Sequence, residues 1–69
     1  MAREAHLEAA KHHLQAASKH FAAVDRYNEG DPVGAERFSD EARVASQFAD
    51  SKSIEAHRQA AMAAKTKLV

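Results

Sequence analysis

The sequence contains no cysteine and no tryptophan, and its 69 residues include only two glycines, one proline, three phenylalanines and one tyrosine. Without cysteine the chain can form neither disulfides nor thiolate metal sites. The scarcity of glycine and proline leaves long stretches free for helices. The few large apolar side chains indicate a thin hydrophobic core. A chain this short is near the limit at which one core can stabilise a fold without a metal, disulfides or a partner chain.

The sequence also has no excess of either charge sign and no long apolar segment. Lysine plus arginine number 10, and so do aspartate plus glutamate. Charge alone therefore does not attract nucleic acid or an anionic membrane, and nucleic acid is not the expected partner. No apolar segment approaches the roughly 20 residues that a membrane-spanning helix needs, and the first residues lack the apolar region of a secretory signal. We expect a cytoplasmic protein that does not bind membranes.

The composition predicts two long helices. Residues 2–28 contain no glycine or proline and are rich in alanine, glutamate, lysine, leucine and glutamine, which favour helix. Residues 32–67 have a similar composition after one early glycine, Gly34. Four polar residues at 50–53, Asp-Ser-Lys-Ser, have weaker helix preference and could break the second helix. The alternative to a two-helix fold is therefore a three-helix bundle with a break near 50–53.

The signals for a turn are concentrated at residues 28–32. Gly30 suits the left-handed position that ends a helix, Asp31 is a good N-cap, and Pro32 suits the first position of the next helix. A connection of so few residues makes the two helices antiparallel neighbours. We therefore predict an all-α, two-helix antiparallel hairpin, with residues 1–69 as a single domain.

Both helices carry seven-residue repeats of apolar side chains. In the first helix, one line holds Leu7, Leu14 and Phe21 and a second holds Ala10, Ala17 and Val24, which together form a heptad seam. In the second helix the repeat consists of Ala35, Ala42, Ala49, Ala56 and Ala63, with Phe38 and Ala45 on a companion line. Because small side chains let helix backbones approach closely, we predict that the alanine repeat is where the two helices meet.

Self-association is expected because a lone hairpin buries little apolar surface. The second helix has a further apolar edge that a single hairpin would leave in water. We predict a homodimer that forms an antiparallel four-helix bundle. The predicted interface residues are Leu7, Leu14, Phe21, Val24, Phe38, Val44, Phe48 and Ile54.

The histidines form an unusual pattern on the first helix. His6, His13 and His20 recur at seven-residue spacing, which separates neighbours by about 10 Å of helix rise, so no two of them can share a metal ion. The only pair within this helix that combines a histidine with a carboxylate at chelating spacing is Glu8 with His12. A site for copper, nickel or zinc would have to be assembled between helices or chains. Its candidate ligands are His6, Glu8, His12, His13 and His20. The histidines otherwise flank the seam or form a pH-responsive interface.

Catalysis and RNA binding have less support in the sequence. There is no cysteine nucleophile, no glutamate is followed three residues later by histidine, and a two-helix hairpin offers no deep cleft. We therefore expect no enzyme activity and no resident cofactor apart from the possible metal. Four cations of the first helix could contact phosphates as in small RNA-binding hairpin dimers, but acidic residues lie among them. They are Arg3, Lys11, Lys19 and Arg26.

The first half of the chain resembles the small alanine- and histidine-rich helical hairpin proteins of bacteria. The similarity lies in residues 6–13, His-Leu-Glu-Ala-Ala-Lys-His-His, in residues 19–23, Lys-His-Phe-Ala-Ala, and in the turn at residues 27–31, Tyr-Asn-Glu-Gly-Asp. Some members of this group are similar to small copper-binding proteins. The resemblance implies copper or a comparable divalent metal, with His6, His12, His13 and His20 at the matching positions.

The sequence thus favours a non-catalytic assembly or protein-interaction module that acts as a hairpin dimer. A transition-metal-binding protein is the alternative, and an RNA-binding hairpin dimer is the third hypothesis. An additional, unidentified protein partner is compatible with the first.

Overall fold

The computed structural model describes residues 2–68, including the side chains of residues 3–65. Two helices, α1 (Ala2–Asn28) and α2 (Pro32–Leu68), pack side by side as an antiparallel hairpin, and the described residues contain no strand. The predicted all-α hairpin is confirmed. Its Cα atoms extend over 59 × 13 × 12 Å, so the hairpin is a thin rod. Within the described residues, neither helix is apolar enough over a sufficient length to span a membrane.

The turn follows from the residues that the sequence places there. Gly30 has a φ of 74°, a left-handed conformation that glycine adopts without strain. Its N–H donates to the Tyr27 carbonyl at 3.1 Å and the Asp31 N–H donates to the Arg26 carbonyl at 2.8 Å, which is the hydrogen-bond pattern of a Schellman C-cap. Asp31 then accepts a hydrogen bond from the Gly34 N–H at 2.9 Å, so it caps α2 as predicted.

Helix α2 continues through residues 50–53, so the three-helix alternative was wrong. Two of these polar residues contact α1. The Lys52 ammonium lies 3.4 Å from the Glu8 carboxylate, and the Ser53 hydroxyl lies 2.8 Å from Nε2 of His13. Tertiary contacts of this kind override a weak local helix preference.

Over residues 3–65, the side chains buried between the helices are all alanine. On α2 the predicted line is confirmed at Ala35, Ala42, Ala49 and Ala56, each of which is 0% exposed. Ala63, the fifth member of the predicted line, is exposed. Because Glu8 lies beside Lys52 and α2 has 37 residues against 27 in α1, the C-terminal part of α2 extends past the start of α1.

On α1 the packing line is Ala9, Ala16 and Ala23, which are 6–8% exposed. The seven-residue repeats did not predict that these three residues form the contact. They repeat every seven residues, as the α2 alanines do, so two lines of methyl groups face each other along the hairpin. This arrangement turns the larger apolar residues of α1 away from α2.

Charged and aromatic side chains line one edge of the helix contact. The Lys19 ammonium donates to the Glu41 carboxylate at 2.7 Å. Beside this pair, Phe38 is half-buried beneath three cations, Lys19, Arg26 and Arg37, whose charged groups lie 5.1–5.7 Å from the centre of its ring. These contacts hold α1 and α2 in one register and cover the ring of Phe38.

Enlarging one buried alanine should separate the helices. We expect Ala42→Leu to lower the free energy of unfolding by about 1 to 3 kcal/mol, because the added carbons have no space at a 0% exposed position. Urea denaturation followed by circular dichroism at one fixed protein concentration measures the effect. The matched control is Ala61→Leu at an exposed position, for which we expect a change within about 0.5 kcal/mol. Equal effects of the two substitutions would contradict the alanine contact.

The pKa of Glu41 should depend on Lys19. The hydrogen bond from Lys19 lowers the pKa of this carboxyl below its usual value, with further help from the positive charges of Lys19 and Arg37, while partial desolvation raises it. A carboxyl with a lowered folded-state pKa stabilises the fold above its unfolded-state value, and this contribution is lost as the pH falls through the folded-state value.

We therefore expect Lys19→Met to raise the pKa of Glu41 and to reduce the loss of stability between neutral and acidic pH. Carbon-detected NMR titration of the Glu41 carboxyl measures the pKa. The control is Arg58→Met, which removes the ion pair with Glu55 and should leave Glu41 unchanged. An unchanged Glu41 pKa in Lys19→Met would show that the ion pair does not form in solution.

Candidate interaction surface

Helix α1 has a second apolar surface outside its contact with α2. Leu14 precedes the buried Ala16 by two residues, which places it about 200° around the helix, and Ala17 follows Ala16 directly, at about 100°. All six members of this surface are exposed, and the exposed fractions of Leu14 and Phe21 reach 70% and 71%. We call this surface the outer seam; it consists of Leu7, Ala10, Leu14, Ala17, Phe21 and Val24.

The outer seam has the spacing of a coiled-coil interface. Its members are separated alternately by three and four residues, as the a and d positions of a heptad are. One line carries the large side chains Leu7, Leu14 and Phe21, and the other carries the smaller Ala10, Ala17 and Val24. No charged residue interrupts either line. This is the heptad seam that the sequence predicted, and in the hairpin it is unpartnered.

Large apolar residues are exposed on α2 as well, but they do not form a seam. They are Val33, Val44, Phe48, Ile54 and Met62. Their spacing is irregular, and charged or polar residues such as Asp40, Ser51 and Glu55 lie between them. The ring of Phe48 stacks on His12 with 6.0 Å between centroids. Among the predicted interface residues, Phe38 is the one that the hairpin itself half-buries.

The exposed surface of the chain is large for its mass. A folded monomer of 7.5 kDa exposes about 4,250 Å² on the general scaling of surface with mass. This chain exposes 5369 Å². The difference of about 1,100 Å² exceeds the roughly 800 Å² that each partner buries in a standard protein–protein interface. The hairpin thus exposes more surface than a typical monomer of its mass, by more than one partner's share of such an interface.

The structure does not bring the candidate metal ligands to one point. Nε2 of His13 lies 2.8 Å from the Ser53 hydroxyl, His12 stacks on Phe48, and Glu8 pairs with Lys52. His6 and His20 lie one heptad on either side of His13 and are exposed. Over residues 2–68, no group of three or more histidine, aspartate or glutamate side chains has a geometry that could hold a metal ion.

Among the described residues, the hydrogen bond between His13 and Ser53 brings a hydroxyl to a potential base. A hydroxyl hydrogen-bonded to an imidazole is the first element of a nucleophilic site. Here His13 is exposed, so water competes for the hydrogen bond and would solvate any developing charge. In the hairpin this contact joins α1 to α2 on the edge opposite the ion pairs.

Two of the four cations suggested for RNA binding are engaged within the chain. Lys19 pairs with Glu41, and Arg26 lies 3.3 Å from the Glu29 carboxylate and 3.9 Å from that of Asp31. A phosphate would have to compete with these carboxylates for the two cations. This competition disfavours binding of nucleic acid at this edge of the hairpin.

Comparisons of this chain with protein-family models, with curated protein sequences and with solved structures found no match. The candidate interaction surface is therefore inferred from the structure of the hairpin alone.

Proposed function

We propose that this chain is a small, non-catalytic assembly module that acts as a homodimer of helical hairpins. One observation carries the proposal. Among the residues whose side chains the structure describes, those that are buried are all alanine, while ten large apolar side chains are exposed. Soluble monomers rarely leave large contiguous apolar patches exposed, and such patches mark interaction sites.

The energetics of burial support association. Burying one methyl group contributes about 0.8 kcal/mol, whereas fully burying a leucine or phenylalanine contributes about 1.5 to 3 kcal/mol. In the hairpin alone, Leu7, Leu14 and Phe21 are at least half exposed and contribute only part of that amount. A second chain that covers them would add the missing stabilisation. Folding and association are then coupled, as in obligate homodimers.

Two hairpins give a four-helix assembly, the architecture that the thin core predicts. Its role is to hold two copies together, along with whatever each copy is attached to or binds. The large apolar residues of α2 that remain outside the seam, Val33 among them, offer a place for a further protein partner.

Light scattering coupled to size-exclusion chromatography tests the proposal. At about 50 µM protein we expect a mass of twice 7.5 kDa. We also expect the melting temperature to rise with protein concentration, because dissociation accompanies unfolding. The same protein after dilution into the nanomolar range serves as its own control, since helical content should fall as the dimer dissociates. A monomer with a high, concentration-independent melting temperature would refute the proposal.

A further inference from the structure

We propose that the two copies pair through the outer seam, with α1 of one copy antiparallel to α1 of the other. This inference rests on the proposed dimer and adds which surface forms it and in which orientation. Helix α1 would then have two different partners on two different sides. Its alanine line (Ala9, Ala16, Ala23) contacts α2 of the same chain, and its outer seam contacts α1 of the second copy.

The regularity of the outer seam favours a helix as its occupant. Six consecutive a and d positions, from Leu7 to Val24, are apolar, and they extend over about 25 Å at 1.5 Å per residue. A straight seam of this length matches another helix with the same spacing. On the described surface of α2 the exposed apolar residues lack this spacing. The helix that fits is therefore α1 of a second copy.

The alternation of large and small side chains favours the antiparallel orientation. When the two α1 helices run in opposite directions, each large residue faces a smaller one: Leu7 faces Val24 of the partner subunit, and Leu14 faces Ala17 of the partner subunit. Each pair of facing residues, or layer, then has a similar total side-chain volume. One distance between the two helix axes therefore suits the whole seam. A parallel pair would stack leucine on leucine and alanine on alanine. Its layers would alternate between wide and narrow and leave cavities.

The residues beside the outer seam suit the rim of such an interface. His6, His13 and His20 border the line that contains Ala10 and Ala17. The opposite border consists of Glu4, Lys11, Ser18 and Asp25. Polar residues that surround an apolar centre are the usual anatomy of a protein–protein interface. The histidine repeat is thereby explained as one rim of the seam, and His13 also links that rim to α2 through Ser53.

The surplus of exposed surface matches one interface of this kind. The chain exposes about 1,100 Å² more than a typical monomer of its mass, and a standard interface removes about 800 Å² from each partner. The surplus exceeds one partner's share of a standard interface, and a closed dimer needs only one such interface.

Site-directed disulfides test the surface and the orientation together, and the absence of native cysteine makes the chemistry unambiguous. Two variants, Leu7→Cys and Val24→Cys, are unfolded, mixed, refolded together and oxidised in a glutathione buffer. The antiparallel seam predicts disulfides that join one copy of each variant. We expect these mixed dimers to be at least about tenfold enriched over disulfide-linked dimers of two copies of the same variant. In that orientation two copies of residue 7 lie about 25 Å apart, whereas a disulfide requires Cα atoms within about 7 Å.

Ile54→Cys is the matched control, because Ile54 is a similarly exposed aliphatic residue on α2. It should form no disulfide above background with either seam variant. Circular dichroism and light scattering on the reduced proteins establish that each variant is helical and dimeric before oxidation.

The outcomes separate this inference from the proposed function. Disulfides within each seam variant alone would mean a parallel seam and would overturn the orientation. A dimeric mass without any seam disulfide, or with efficient cross-linking at residue 54, would overturn the seam while the assembly function stands. A wild-type protein that is monomeric at about 50 µM would overturn both.

Discussion

The contact between two lines of alanine governs the rest of this structure. Because the buried side chains at the contact are methyl groups, they allow the backbones of α1 and α2 to approach toward the near end of the roughly 8 to 10 Å range of helix packing. No larger residue fits on that line, and Ala42 and Ala49 have no exposed surface at all. The larger apolar residues must then lie elsewhere on each helix. The close packing of the two helices and the exposure of large apolar side chains therefore have the same cause, which is the alanine contact.

The short turn and the polar edges determine how the alanine lines align. Gly30 and Asp31 end one helix and begin the next within three residues, which leaves little freedom in the relative shift of the helices. Farther along the rod, Lys19 with Glu41 and His13 with Ser53 join the helices on opposite edges. Exposed pairs of this kind add little stability, but they disfavour shifted registers, in which the charged groups would face the wrong neighbours.

The sequence predicted the helices, the turn and the α2 side of the contact, because each depends on local signals: helix-favouring composition, Gly30 with Asp31, and a seven-residue alanine repeat. It did not predict which side of α1 faces α2. Helix α1 contains two heptad repeats on different sides, and periodicity alone does not choose between Leu14 and Ala16. Tertiary packing makes that choice, since an alanine line on α2 fits closest against another alanine line. The histidines illustrate the same limit, because their spacing was evident but the contact between His13 and Ser53 depends on the helix register.

The central claim is that alanine closes the hairpin while the leucines of α1 face away from α2. Methyl NOE spectroscopy on a mixture of labelled and unlabelled chains tests it most directly, because isotope filtering separates contacts within a chain from contacts between chains. The account predicts intrachain NOEs between the methyl groups of the α1 alanine line and those of Ala42 and Ala49, and none between Leu14 and these α2 alanines. Strong intrachain NOEs from the Leu14 methyl groups to Ala42 or Ala49 would contradict it, since they would place the outer seam inside the hairpin.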